Sequence, residues 1–207
     1  MPIVKESMDI LRKYLPEGSF DRIVYYLNFF KIHFTITLKR NTVLGDYRHP
    51  IPGGNHRITV NGDLNQYEFL VTFLHELAHL ITFEKFGARV PPHGKEWKNQ
   101  YGLLLMEFVD LGIFPVDVHQ AILKTIPDPA ATANGETMLL SVLRKYNNEK
   151  QEGRTVAQIA MGGFFKTQKG QIFKKVALRR TRFLCTDYHT GAAYSFSPLT
   201  EVIPVEL

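Results

Sequence analysis

Residues 66–86 read QYEFLVTFLHELAHLITFEKF, and this stretch decides the architecture. Phe69, Leu70, Phe73, Leu74, Leu77, Ala78, Leu80 and Ile81 leave almost no polar side on a helix of 3.6-residue period, which predicts a central, buried helix. Gly87 follows as its natural C-cap. Within this apolar helix sit His75, Glu76 and His79. Two imidazoles four residues apart lie on one face, one turn apart, and can grip a single ion. Burying them beside a carboxylate without a partner would be costly, and a metal supplies one. Glu76, one step round from His75, can approach water at that metal without ligating it, as a general base must.

A catalytic zinc takes three protein ligands and leaves a fourth position open. Downstream, Pro91-Pro92 breaks the chain, and a second helix is expected from about Gly94 to Val109, with Trp97, Tyr101, Leu104, Leu105 and Phe108 inward. His93, 14 residues after His79 at the start of that helix, is the best third ligand, with Glu96 and Glu107 as rivals. Trp97 reads as core. The metzincin continuation fails, because Thr82 and Lys85 stand where Gly and His are required. One Zn2+ per chain, held by His75, His79 and His93, is the expected cofactor, although Mn, Co or Ni suit similar ligands. With Glu76 as base, such a site fits peptide hydrolysis.

Outward from this core, the first thirty residues read as two helices, the second opening at Ser19. Ile32, Phe34, Ile36 and Leu38 alternate with His33, Thr35, Thr37 and Lys39, a strand with one buried face that leaves His33 in solvent. Gly45, Pro50, Pro52, Gly53 and Gly54 mark a loop-and-strand region. Arg57 to Val60 is a further strand ended by Asn61-Gly62, either an edge that pairs with an extended substrate or an ordinary sheet strand. The division expected is a catalytic domain at 1–126, a linker and crossing helix at 127–152, and a β-rich basic unit at 153–207. That last unit has a Gly162-Gly163 pair and a hairpin turn at Thr190-Gly191.

Composition sets limits. At 207 residues and 44% apolar the chain can bury a sizeable core. Cys185 is its one cysteine, which excludes an internal disulfide framework and any zinc site of several thiolates. No run approaches the roughly 18 apolar residues of a membrane span, and Met1 to Tyr14 lacks a signal-peptide core, so a cytoplasmic protein without a membrane role is expected. The net charge of +5 is uneven, with seven Lys/Arg against three Asp/Glu from Phe164 onward. Lys174, Lys175, Arg179, Arg180 and Arg182 lie near Phe183, Tyr188, Tyr194 and Phe196, a pattern that suits DNA backbone and bases. It equally suits a small sheet with aromatic core and solvated cations. Cys185, two residues from Phe183 on one strand face, reads as a buried apolar filler.

His75-Glu76-x-x-His79 followed by Pro91-Pro92-His93-Gly94-Lys95-Glu96-Trp97 resembles the SprT/Spartan family of zinc metallopeptidases, and the His-Gly-x-Glu-aromatic element is the discriminating part. Leu44-Gly45-Asp46-Tyr47-Arg48 and Ile58-Thr59-Val60-Asn61 are similar to the strands that precede the family's active-site helix. The likeness covers about Phe20 to Phe108 and is strongest from Phe69 to Trp97. It implies an α+β, zincin-like (SprT-like) catalytic domain, His93 as third ligand, and a DNA-associated metalloprotease acting on proteins. The family's usual four-cysteine zinc ribbon cannot exist with Cys185 alone, so a metal-free β unit would take its place. Two other classes remain: a non-catalytic nucleic-acid- or protein-binding module on a metal-stabilised scaffold, and hydrolysis of something other than a peptide. An intact Glu76 argues against the first, since a structural site needs no base.

Overall fold

The computed structural model describes residues 9–40, 43–130, 137–147, 154–180, 182–198 and 200–206. It divides into two compact units, Met1–Asn148 and Glu149–Leu207, and the fold class is α+β. The predicted linker lies outside the described residues from 131 to 136.

In the first unit, a 3-10 turn at Ile10–Tyr14 precedes helix α1 (Phe20–Phe29). Ser19 stands at its N-cap position but donates its hydroxyl to the Pro16 carbonyl at 2.7 Å instead of capping the helix. Three strands follow, β1 (His33–Thr37), β2 (Gly45–Arg48) and β3 (Arg57–Asn61), then α2 (Gln66–Phe86), α3 (Lys95–Asp110), α4 (Val116–Thr125) and α5 (Thr137–Leu143). α2 begins where Asn65 Oδ1 accepts from the backbone N–H groups of Tyr67 and Glu68, satisfying two of the orphan donors at a helix start. It ends at Gly87, whose φ of 64° terminates it as the sequence predicted. Phe69, Leu70, Phe73, Leu74, Leu77, Ala78 and Leu80 are fully buried between the sheet and α3.

The sheet order is β1-β3-β2, with β1 parallel and β2 antiparallel to β3. This overturns the edge reading of Arg57 to Val60: β3 is central, Ile58 and Val60 are wholly buried, and both its hydrogen-bonding edges are taken. The free edge near the site belongs to β2. His33 is exposed as read, but Leu38 lies beyond the end of β1 and is 92% exposed. The helix expected to bridge the units instead packs within the first. Asn65 Nδ2 donates to the Leu143 carbonyl at 3.0 Å, and the Tyr146 hydroxyl, just past α5, donates to Asp117 at 2.7 Å. No helix among the described residues is long and apolar enough to cross a membrane.

The second unit is a six-stranded antiparallel sheet of β4 (Arg154–Thr155), β5 (Phe164–Lys166), β6 (Ile172–Arg179), β7 (Arg182–Asp187), β8 (Ala193–Phe196) and β9 (Glu201–Val205). Its strand order is β4-β9-β5-β6-β7-β8. Phe165, Phe173, Cys185 and Val202 centre its core, so the apolar reading of Cys185 holds. The turn at Thr190-Gly191 is present, with Asp187 Oδ1 accepting from the backbone N–H groups of His189 and Thr190.

Lys175 corrects the basic stripe. Period-two alternation turns it inward with Phe173 while Lys174 faces out. Its ammonium is buried and donates to the carbonyls of Val156, Ala157 and Ile159 at 2.8, 3.2 and 2.7 Å, 3.7 Å from the centre of the Phe183 ring. Lys174, Arg179, Arg180 and Arg182 are exposed.

Candidate metal centre

α2 projects His75 and His79 from adjacent turns of one face. Beyond it the chain passes a 3-10 turn at Gly87–Arg89 and doubles back through Pro91-Pro92. The Gly94 N–H donates to the Pro91 carbonyl at 3.0 Å, closing a turn in which His93 takes a φ of 59°. That left-handed conformation costs a non-glycine residue about 1–2 kcal/mol. Its effect is to swing the imidazole over α2: His93 Nε2 lies 3.3 Å from His75 Nε2. One ligand-capable nitrogen from each of His75, His79 and His93 falls within 4.8 Å of the others. Tetrahedral coordination with metal–nitrogen bonds of about 2.0–2.1 Å separates ligand nitrogens by about 3.3 Å.

Electrostatics favours the ligating form. Burial holds the His75 imidazole well below its ordinary value, helped by the neighbouring His79 and His93. His79 is lowered to about 4 by burial and His93, and His93 itself is lowered by burial. All three are therefore neutral at pH 7 with a lone pair to give. His75 Nδ1 is buried with no hydrogen-bond partner among the described residues. Three neutral imidazoles converging on one point fit a divalent cation. Beneath them, the wholly buried Trp97 ring lies 4.6, 5.2 and 4.7 Å from the His75, His79 and His93 rings.

Glu76 is 7% exposed and directed toward β2. Burial, then the charge of Asp46, push its carboxyl up to about 8, opposed by Arg40 and by a hydrogen bond from the Tyr47 backbone N–H. Tyr47 also stacks parallel to the His79 ring at 6.4 Å. Its hydroxyl is 3.0 Å from His56 Nδ1, and His56 Nε2 is 3.1 Å from Glu84 Oε1, which ties β2 to β3 and to the end of α2. A cleft of about 600 Å³ opens over His75, Glu76 and His79, between the segment from Val43 to Tyr47 and the wall from Val90 to His93.

All four residues singled out by sequence for the site are thus brought together. The rivals are not: Glu107 is taken by the Arg22 guanidinium and the Tyr26 hydroxyl, and Glu96 is outside the histidine group. The resemblance marked Leu44 to Arg48 as a strand before the active-site helix, but sequence reasoning assigned no site role to Gly45, Asp46 or Tyr47. Trp97 was read as core, which it is, but not as the surface on which the histidines rest.

An α+β unit whose buried helix contributes two histidines to a three-histidine group capable of holding a metal ion defines the class. Residues 14–105 match the SprT-like family model, so that segment is similar to the SprT-like family. Protein SprT of Cronobacter sakazakii is 46% identical over 63 residues, 30% of this chain and 34% of that protein. Proteins SprT of Klebsiella pneumoniae and Yersinia enterocolitica are 60% and 57% identical over 35 residues, 16% of this chain and 20% of each relative. The match thus spans about a third or less of these curated relatives' length. No solved structure matches the chain.

Proposed function

We propose that the first unit is a zincin-like, zinc-dependent metalloendopeptidase acting on protein substrates. The observation that carries this reading is the convergence of three neutral imidazoles with a buried carboxylate beside them, at the floor of an open cleft. His75, His79 and His93 would hold the ion. A zinc ion held there would supply Lewis acidity, lowering the pKa of a bound water and polarising a scissile carbonyl.

Everything else falls to the chain. Glu76 takes the proton of the attacking water on its carboxylate and delivers it to the leaving amine. A carboxyl whose proton affinity is raised toward neutrality is a stronger base than an exposed one; the metal-free shift to about 8 has that sense, and a cation bound beside it would bring the value down so that the carboxylate form is available. The proposed substrate edge moves from β3 to β2, an edge strand that lines the cleft and can add an extended peptide backbone. Val43, Leu44 and Phe83 supply apolar cleft walls.

Association with DNA is proposed as a separate property of the second unit. Its support is the exposure of Lys174, Arg179, Arg180 and Arg182, with Tyr188 also exposed; Tyr194 lies opposite Cys185 and against Phe173, on the core side of the sheet. Lys175 is not part of it.

The test of the enzymatic reading is proteolysis of an intrinsically disordered protein by the purified chain, after chelation and after restoring zinc. Cleavage lost with chelator, regained with about one equivalent of zinc and yielding new internal N-termini supports an endopeptidase. Chelator-resistant cleavage, or none with zinc bound, defeats it.

A further inference from the structure

Gly45 is the residue of β2 that faces α2 where Glu76 leaves the helix. A Cβ built on it would lie 2.8 Å from both Cγ and Oε1 of Glu76, and 2.9 Å from Thr72 Cγ2. Carbon atoms pack at about 3.5–4.0 Å, so no side chain fits there without displacement. Thr72 and Glu76 are four apart on α2, so one helical face rests directly on the bare backbone of this glycine. The next outward-facing group in the strand, the Tyr47 N–H, is the backbone donor to the Glu76 carboxylate.

We infer that Gly45 is a positioning residue for Glu76: its missing side chain forms the seat in which the catalytic carboxylate is held beside the three histidines. The inference deepens the peptidase reading and rests on Glu76 being the base.

Which atom yields to an added methyl decides the consequence. Thr72 is β-branched and buried, with little freedom at χ1. The backbone of β2 is tied to β3 through the register Gly45 to Val60 and Tyr47 to Ile58. The Glu76 carboxylate is the far end of a flexible arm. Because Cγ is as close as Oε1, the whole Glu76 side chain must rotate from its Cβ, which carries the carboxylate away toward the cleft and breaks its bond from the Tyr47 N–H. The three atoms nearest that space belong to Glu76 and Thr72 and none to a histidine, so metal binding is expected to survive. Displacing a reacting group by about 1 Å can cost about 100-fold in rate.

The experiment compares wild type, Gly45→Ala, Glu76→Gln and Gly45→Ala/Thr72→Ser in zinc content, thermal unfolding, kcat, KM and hydrogen exchange at the Tyr47 amide. For Gly45→Ala the expected results are one zinc per chain, near-unchanged unfolding and KM, kcat lower by about 100-fold, and faster Tyr47 exchange. Exchange is read on the metal-free protein, so it does not depend on turnover. Removing the Thr72 methyl gives the new Cβ room and restores part of the lost kcat. A Gly45→Ala variant with wild-type kcat and wild-type Tyr47 exchange, beside an inactive Glu76→Gln, overturns the inference and leaves the base assignment standing. A Gly45→Ala variant that fails to fold also overturns it, because then the strand and not the carboxylate gives way. If Glu76→Gln cleaves as well as wild type, the peptidase reading falls and this inference with it.

Discussion

At the scale of single residues, the three histidines differ in how they are held. His75 and His79 are fixed by α2, whereas His93 depends on a turn with φ of 59° and is half-exposed. His93→Ala should leave the fold intact and strip the metal, read by metal analysis together with thermal unfolding; a variant that keeps one zinc would remove His93 from the ligand set. Trp97 contacts all three imidazoles, and truncating a buried aromatic costs about 3–5 kcal/mol. Trp97→Ala should therefore both lower the urea midpoint and weaken zinc affinity, while Trp97→Phe loses less of each.

The depressed histidines also dictate a pH dependence in the metal-free protein. A folded value below the unfolded one means the unfolded chain takes up protons first, so stability is present above about 6.5 and lost as pH falls toward about 4. Glu76, raised from 4.5 to about 8, titrates in the opposite sense. Glu76→Gln removes that opposition, and its metal-free urea midpoint should drop steadily from pH 7 to pH 4.5. A flat profile would mean the imidazoles are solvated.

At the scale of elements, α2 was legible from its nearly uninterrupted apolar surface, a terminal glycine, and a polar cluster that makes no sense in a core without a partner, whereas its Asn65 cap emerged only in the structure. Asn65→Ala should cost about 0.5–2 kcal/mol from the cap alone, and more through the lost bond to Leu143, measured by chemical denaturation. The sheet order was not legible, since pairing is decided by distant partners. β2 spells Gly-Asp-Tyr-Arg, with no apolar alternation, yet it forms the edge of the cleft. β3 could be read as a substrate-pairing edge or as an ordinary strand, and its pairing with both β1 and β2 decides for the latter. Lys175 was within reach of the same parity argument that placed Cys185 with Phe183: it is two residues from Phe173 and so shares its inward face. Counting it with a charge run concealed this. Lys175→Met removes the ammonium donor from three carbonyls; Val156 keeps the Ile159 N–H and Ala157 is exposed, so the loss falls on the Ile159 carbonyl, a buried group worth about 1–3 kcal/mol. It should destabilise the second unit without changing affinity for single-stranded DNA.

At the scale of the whole molecule, the likeness to the SprT-like family falls within the first of the two compact units. The matched segment, residues 14–105, ends within α3 and leaves the β-sheet unit outside it. If the exposed cations of that unit bind DNA, reversing Arg179 and Arg180 to Glu in the full chain should weaken binding and flatten its salt dependence, with zinc content unchanged. Equal affinity in the variant would assign those charges to ordinary surface. The separateness of the two compact units predicts that residues 1–148 alone retain the metal, by metal analysis of the fragment.

The most direct measurement of the central claim is zinc content and proteolysis of one disordered protein substrate, taken together on wild type and Glu76→Gln. The account predicts one zinc per chain in both, and cleavage in the wild type alone. Zinc-loaded Glu76→Gln that cleaves like the wild type would contradict it.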